Sequence, residues 1–254
     1  MAAGLGHELQ AVYLVWFRDL KRFWRDKPQL AGTTFRSVLW LVFLGFGIQG
    51  GYPPVQGYRY TQFVLPGIMG MAVLFTSIQS TITIIWDREF GFMKEMLVAP
   101  ISRFSIVAGK ALSGTTLGLF EAGIVLALAP LFGLPVSPGA ALRAGGVLFL
   151  MGLGFSGLGI AIASRLRTFE GFGAIMNFLV LPVFFLSGAL YPVDRLPGPL
   201  LFLVELNPMS YAVDWLRLVL LGLARFGTGH SFSVLGFFAL VTMSSAVRSF
   251  YVLD

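Results

Sequence analysis

The sequence contains no cysteine and only two histidines, His7 and His230, far apart along the chain. Disulfides, thiolate metal sites and thiol catalysis are therefore excluded. Charge is also scarce. Asp, Glu, Lys and Arg make up 12% of the residues, against about 25% in an ordinary soluble domain. So few charges cannot cover a globular surface in water. No G-x-x-x-x-G-K-[ST] phosphate loop occurs, because Gly109-Lys110 is followed by Ala111 and lacks the upstream glycine. The chain is thus not expected to bind ATP in the usual way. HExxH, G-x-S-x-G and paired catalytic acids are missing too. No catalytic residue, metal or cofactor is expected on this chain, and nothing marks it as an enzyme by itself.

What is present is apolar. Hydrophobic residues make up 56% of the 254, and the mean hydropathy is +0.81. They fall in blocks long enough to cross a hydrocarbon core of roughly 30 Å, which takes about 20 helical residues. Lipid offers no hydrogen bonds to backbone, so such blocks are helices or a closed barrel. Continuous apolar runs without alternation exclude the barrel. The expected fold class is an all-α polytopic membrane protein, one transmembrane domain over residues 1–254. Its six spans are expected near 35–52, 61–86, 108–132, 141–164, 172–191 and 231–250.

Residues 7–28 read as an amphipathic helix in the membrane interface, stopped by Pro28. Leu9, Val12, Tyr13, Trp16, Phe17, Leu20, Phe23 and Trp24 share helical spacing, while Arg18, Asp19, Lys21, Arg22, Arg25 and Asp26 take the other faces. The formal charge of +6 belongs to topology rather than to nucleic acid, which is not an expected partner. With the N-terminus inside, the inner loops collect most of the bases, including Arg18, Lys21, Arg22, Arg25, Arg36, Arg88, Lys94, Arg103, Lys110 and Arg165. The outer side keeps Arg59, Arg143, Arg195, Arg217 and Arg225. Both termini are thus expected in the cytoplasm. No signal peptide is recognised at the N-terminus.

Five segments carry candidate function. In the loop from Trp86 to Pro100, Phe90, Met93 and Leu97 form one helical face between charged flanks, with Gly91 as a break and Pro100 as a stop. That pattern suits docking on a partner or resting on lipid headgroups. In span 2, Thr76, Gln79, Ser80, Thr83 and Asp87 make a polar stripe, lining a pathway or gluing helices. Asn177 in span 5 joins it as a candidate path or interface residue. Glu121 is an intramembrane acid without a mate beyond the span ends, functional or structural, and its isolation disfavours proton coupling. Span 4 carries Gly152, Gly154, Ser156, Gly157, Gly159 and Ala161 at small-residue packing spacings. On the outer side, Tyr191, Pro192, Asn207, Pro208 and Tyr211 lie in a proline-broken stretch, 192–226. Trp215–Ala224 within it is too short to cross alone, so re-entrant pieces forming a gate or vestibule are expected.

These segments together resemble the transmembrane subunit of type-2 ABC exporters, over nearly the whole chain. The resemblance rests on the amphipathic N-terminal helix, Glu89-Phe-Gly-Phe-Met-Lys-Glu-Met-Leu-Val-Ala-Pro100, Gly109-Lys-Ala-Leu112, Leu186-Ser-Gly-Ala-Leu-Tyr-Pro192 and Asn207-Pro-Met-Ser-Tyr-Ala-Val-Asp214. It implies two copies of a separate ABC ATPase subunit carrying ATP and Mg, a second permease copy, and residence in the inner membrane of a prokaryote. It also implies that residues 87–100 are a coupling helix, with Asp87, Arg88, Glu89, Phe90, Gly91, Met93, Glu95, Leu97 and Pro100 as coupling residues. The N-terminal helix would be its connecting helix. One departure is the short C-terminus, Arg248-Ser-Phe-Tyr-Val-Leu-Asp254, where many relatives end in a basic tail. The composition of the spans suits a hydrophobic or amphipathic cargo: a drug-like molecule, a lipid or a lipid-linked glycan. A channel or secondary transporter working without an ATPase is the alternative. It predicts paired intramembrane charges or repeated broken helices.

Overall fold

The computed structural model describes residues 5–44 and 54–251, and among them the chain is nearly all helix. The N-terminal amphipathic stretch forms α1, Leu5–Arg25. Pro28 does not stop it. The break falls at Asp26, whose carboxylate accepts from the Gln29 N–H and caps α2, Lys27–Val42, with Pro28 inside its first turn. There proline lacks only an N–H that has no helical partner anyway. The outer part of the span expected at 35–52 lies beyond the described residues.

Among the described residues, four helical runs are long and apolar enough to cross a membrane: Tyr60–Glu89, Arg103–Phe132, Pro138–Ala163 and Thr228–Tyr251. The first contains α3 (Tyr60–Gln79), a 3-10 turn (Ser80–Ile82) and α4 (Thr83–Glu89). The second begins as α6, Arg103–Leu128, where Ser102 caps the helix by accepting from the Ser105 N–H. The third and fourth are α7 and α12. Between the first two runs sits a short helix, α5, Phe92–Val98.

The stretch expected to span 172–191 behaves differently. It is helical over Phe169–Phe185, in three pieces: α8 (Phe169–Ile175), a π turn (Met176–Val180) and α9 (Leu181–Phe185). Pro182 explains the break. It has no N–H for the preceding turn, and its ring crowds the carbonyl four residues back. Gly188, at φ +68°, then ends any continuation in the left-handed region. Two further helices follow, α10 (Gly198–Leu206) and α11 (Pro208–Leu221).

α3 is the centre of the bundle. It packs on α6, α7, α11 and α2, and 72% of its most apolar stretch is buried, against 28% for α12. Small residues set these distances. A Cβ built on Gly152 of α7 would lie 2.8 Å from Thr115 Cγ2 on α6, and one on Gly157 would lie 2.9 Å from the Met243 nitrogen on α12. The span-4 glycines thus pack two neighbours on opposite sides, as their spacing suggested.

Candidate functional site

Charge gathers at one end of the bundle, where α1 crosses α6. Val15 of α1 sits on Gly109 of α6, where an added Cβ would come within 2.7 Å of Val15 Cβ. Next to Gly109, Lys110 Nζ lies 2.7 Å from Asp87 Oδ2 of α4 and 3.4 Å from Asp19 Oδ2, one turn on from Val15 in α1. All three side chains are at most 5% exposed. Arg18 closes the cluster, donating to Asp19 and Asp87 at 2.9 Å each. Burial alone would depress the Arg18 guanidinium, but Asp19 and Asp87 outweigh it and hold it above its ordinary range. Arg22 stands 3.8 Å from Asp87 and lies over the Trp86 ring.

Further bonds fix the same end. Arg88 donates to the Leu166 and Ser164 carbonyls just beyond α7. Glu8, at the start of α1, accepts from the Ser102 N–H and from the Ser102 and Ser105 hydroxyls. Those hydroxyl bonds, the Ser102 one first, hold its carboxyl below the usual glutamate value. Desolvation by burial opposes them but is outweighed.

The candidate coupling residues therefore divide. Asp87, Arg88 and Met93 turn inward, with Met93 4% exposed. Glu89, Phe90, Glu95 and Pro100 are exposed, as are Phe92 and Val98. Phe90 stacks on Trp86 at 5.4 Å between ring centroids. Gly91 provides the break at φ +83°, a backbone that costs glycine little. The Leu97 side chain lies outside the described residues.

The polar stripe faces α6 and an inner cavity. Ser80 and Thr83 donate to carbonyls of their own helix, and Thr83 Oγ1 also accepts from Lys110. Thr76 reaches across and donates to Glu121 Oε2 at 2.6 Å. Glu121 is fully buried, and its Oε1 has no hydrogen-bond partner. Arg36 and Thr33 of α2 stand beside it. Gln79, Ser80 and Thr83 line a cavity of about 630 Å³ shared with α1, α2 and α6, which includes Arg22, Asp26, Thr33 and Arg36. Asn177 is elsewhere, exposed on the π turn beside Phe178, which is 87% exposed.

At the opposite end, Asn207 caps α11 through the Met209 N–H and donates to the Val183 carbonyl. Pro208 fills the first turn of α11. Tyr191 donates to the Phe185 carbonyl and Tyr211 to the Glu205 carbonyl. Pro192 lines a small cavity with Asp194, Asp214, Arg217 and Arg225. Arg217, 7% exposed, donates to the Gly188 and Ala189 carbonyls and covers the Phe63 ring at 3.8 Å. Asp214 accepts from the Arg225 and Phe226 N–H groups. These contacts join α11, the turn after α9 and the start of α3.

Sequence reasoning missed Asp19, Lys110, Arg36 and Arg217 as site residues. A signal existed for Lys110: it lies two turns inside an otherwise apolar helix, where a base demands an acid.

Comparison with known proteins agrees with this architecture. The family model described as ABC-2 type transporter matches residues 10–221. The putative transport permease ycf38 of Cyanophora paradoxa is 32% identical over 213 residues, covering 82% of this chain and 73% of the relative. The inner membrane transport permease YadH of Escherichia coli K12 is 27% identical, covering 89% of this chain and 88% of its own. Nodulation protein J of Rhizobium leguminosarum bv. viciae is 27% identical over 222 residues, covering 82% and 81%. The chain is an integral membrane protein and belongs to the ABC-2 type transporter family, as a transport permease.

Proposed function

We propose that this permease is the membrane half of an ATP-driven exporter. In this reading two copies pair in the inner membrane of a prokaryote, with both termini in the cytoplasm. Each permease copy seats its 87–100 loop on a separate ATPase subunit that binds ATP and Mg. Residues 35–52 and 172–191 complete six spans, and α10–α11 are re-entrant helices closing the outer side. The cargo is hydrophobic or amphipathic. The observation that carries the reading is the loop itself. Phe90, Phe92 and Val98 are exposed beside Glu89 and Glu95, on a base clamped by Asp19, Asp87 and Lys110.

That arrangement suits force transfer. Closure of an ATPase dimer displaces what is docked on it, and a rigid base passes the displacement to α1 and α6. ATP must bind the closed arrangement better, or nothing moves. The test is co-purification with an ABC ATPase and its hydrolysis rate. Glu89→Lys with Glu95→Lys is expected to uncouple hydrolysis from transport substrate. An unchanged, substrate-responsive rate would remove this loop from the coupling role.

A second reading has one observation in its favour. Arg36 lies near enough to Glu121 to act on it by charge, without an ion pair between them, and a secondary transporter would use opposite charges so placed. It predicts transport in vesicles without any ATPase, abolished by Glu121→Gln.

A further inference from the structure

We infer that the cavity between α1, α2, α3 and α6 is a headgroup site for a phosphate-bearing lipid of the leaflet at the basic end. The inference rests on the chain lying in a membrane and needs no ATPase. Arg22 and Arg36 face the cavity from two different helices. Nη2 of Arg36 is buried with no hydrogen-bond partner. The nearest acid to Arg22 is Asp87, at 3.8 Å, and it already takes closer bonds from Lys110 and Arg18.

Two of the remaining acids near the cavity, Asp19 and Asp26, already hold partners. Asp19 is held by Lys110 and Arg18. Asp26 bonds the Gln29 N–H at the head of α2. Glu121, near Arg36, takes the Thr76 hydroxyl on Oε2 and keeps Oε1 without a hydrogen-bond partner. Arg22, 44% exposed, and Arg36, whose buried Nη2 lacks a hydrogen-bond partner, thus bring two guanidinium groups to the cavity lining, each with the planar fork that fits phosphate oxygens. Gln29, Gln79 and Ser113 add neutral polar groups to the lining. A volume of about 630 Å³ holds a headgroup comfortably.

The surroundings favour a lipid over a free anion. Trp24 of α1 and Phe35 and Leu39 of α2 are exposed apolar residues on the helices that wall the cavity. Acyl chains have a surface to lie on while the phosphate enters. α1 itself, with Leu9, Tyr13 and Phe17 exposed, is an interfacial helix and sets the cavity at headgroup depth.

The test uses the full chain purified in neutral detergent, with bound mass read by native mass spectrometry. Dioleoylphosphatidylglycerol is compared with dioleoylglycerol, which has the chains without the phosphate. Glycerol 3-phosphate supplies the phosphate without the chains. The phospholipid is expected to be retained about tenfold better than the diacylglycerol, and glycerol 3-phosphate is expected not to displace it. Arg36→Gln and Arg22→Gln each lose about that factor, and Arg36→Lys keeps most of it. Arg143→Gln, at the opposite end, leaves binding unchanged. Should Arg36→Gln unfold the chain, Arg22→Gln carries the test, because that side chain is 44% exposed. Equal retention of the two lipids overturns the proposal. So does displacement by glycerol 3-phosphate, which marks a free-anion site. A second copy of the chain that excludes the lipid overturns it as well.

Discussion

Replacing Lys110 with methionine isolates the buried cluster. The substitution keeps an unbranched side chain one atom shorter and removes its charge, leaving Asp87 and Asp19 at 4% and 5% exposure without the ammonium between them. Breaking a buried pair from one side costs roughly 3–5 kcal/mol. Here Arg18 still reaches both acids, but it is 40% exposed and well hydrated, so it recovers only part of the loss. The expected cost of Lys110→Met is about 2–4 kcal/mol. Asp87→Asn alone leaves the ammonium with Asp19 at 3.4 Å and costs less. The double variant has no unpaired charge at that contact and should recover about 1–2 kcal/mol relative to the sum. The assay is equilibrium unfolding in mixed micelles, followed by fluorescence of the five tryptophans. Single costs that add to within about 0.5 kcal/mol would falsify the claim that these charges act as one unit.

Three further outcomes test how the ends are held. Gly109→Val places a side chain where Val15 already sits, at a cost of about 1–3 kcal/mol; in this cysteine-free chain, maleimide labelling of Ala11→Cys should accelerate once α1 lifts, and unchanged labelling would refute the docking. Glu8 has its carboxyl held below the ordinary value by the Ser102 and Ser105 hydroxyls. Its contribution is therefore complete above the unfolded pKa and is lost as pH falls through the lower folded one. Hydrogen exchange of the amides around Ser102 should rise on acidification through that range, and Glu8→Gln should abolish the pH response. Arg217→Lys keeps the charge but not the two donor nitrogens, Nη2 that bonds the Gly188 and Ala189 carbonyls and Nε that bonds the Phe63 carbonyl. A loss of about 1–3 kcal/mol is expected, read as a lowered thermal midpoint; an unchanged midpoint would show that those carbonyls find other donors.

Long apolar runs were readable because hydrophobic length is a property of contiguous residues. Tyr60–Glu89, Arg103–Phe132, Pro138–Ala163 and Thr228–Tyr251 follow the expected spans within a few residues. Ser102 as a cap and Gly91 as a break were equally local and equally visible. Pro28 misled because the same ring that ends one helix begins another, and only the Asp26 cap decides between them. Phe185 ends its helix before 191 because Pro182 and Gly188 act on backbone geometry that hydropathy does not register. Met93 looked like half of a docking face, yet helical spacing cannot say which side of an amphipathic turn meets the core. Asp19, Asp87 and Lys110 are far apart in sequence, and their meeting is purely tertiary.

The clamp also bears on where this molecule can bend. Above it, α3 is packed on four neighbours and cannot slide without repacking the core. Below it, α4 is tied to α1 and α6 by charge and to the end of α7 through Arg88. Between these fixed bodies lies the 3-10 turn at Ser80–Ile82, where Ser80, Thr81 and Thr83 donate back to carbonyls three residues earlier. A turn of that kind is a weaker connector than α-helix. Gly91 breaks the exposed loop at φ +83°, and α5 beyond it is held by buried Met93 and by Met96, which accepts from Arg18. Glu89 and Phe90 precede that glycine and connect directly to Asp87 and Trp86. A partner that grips those two residues would move α1, α4 and α6 together, and one that grips α5 would pull on the same cluster through Met96 and Arg18.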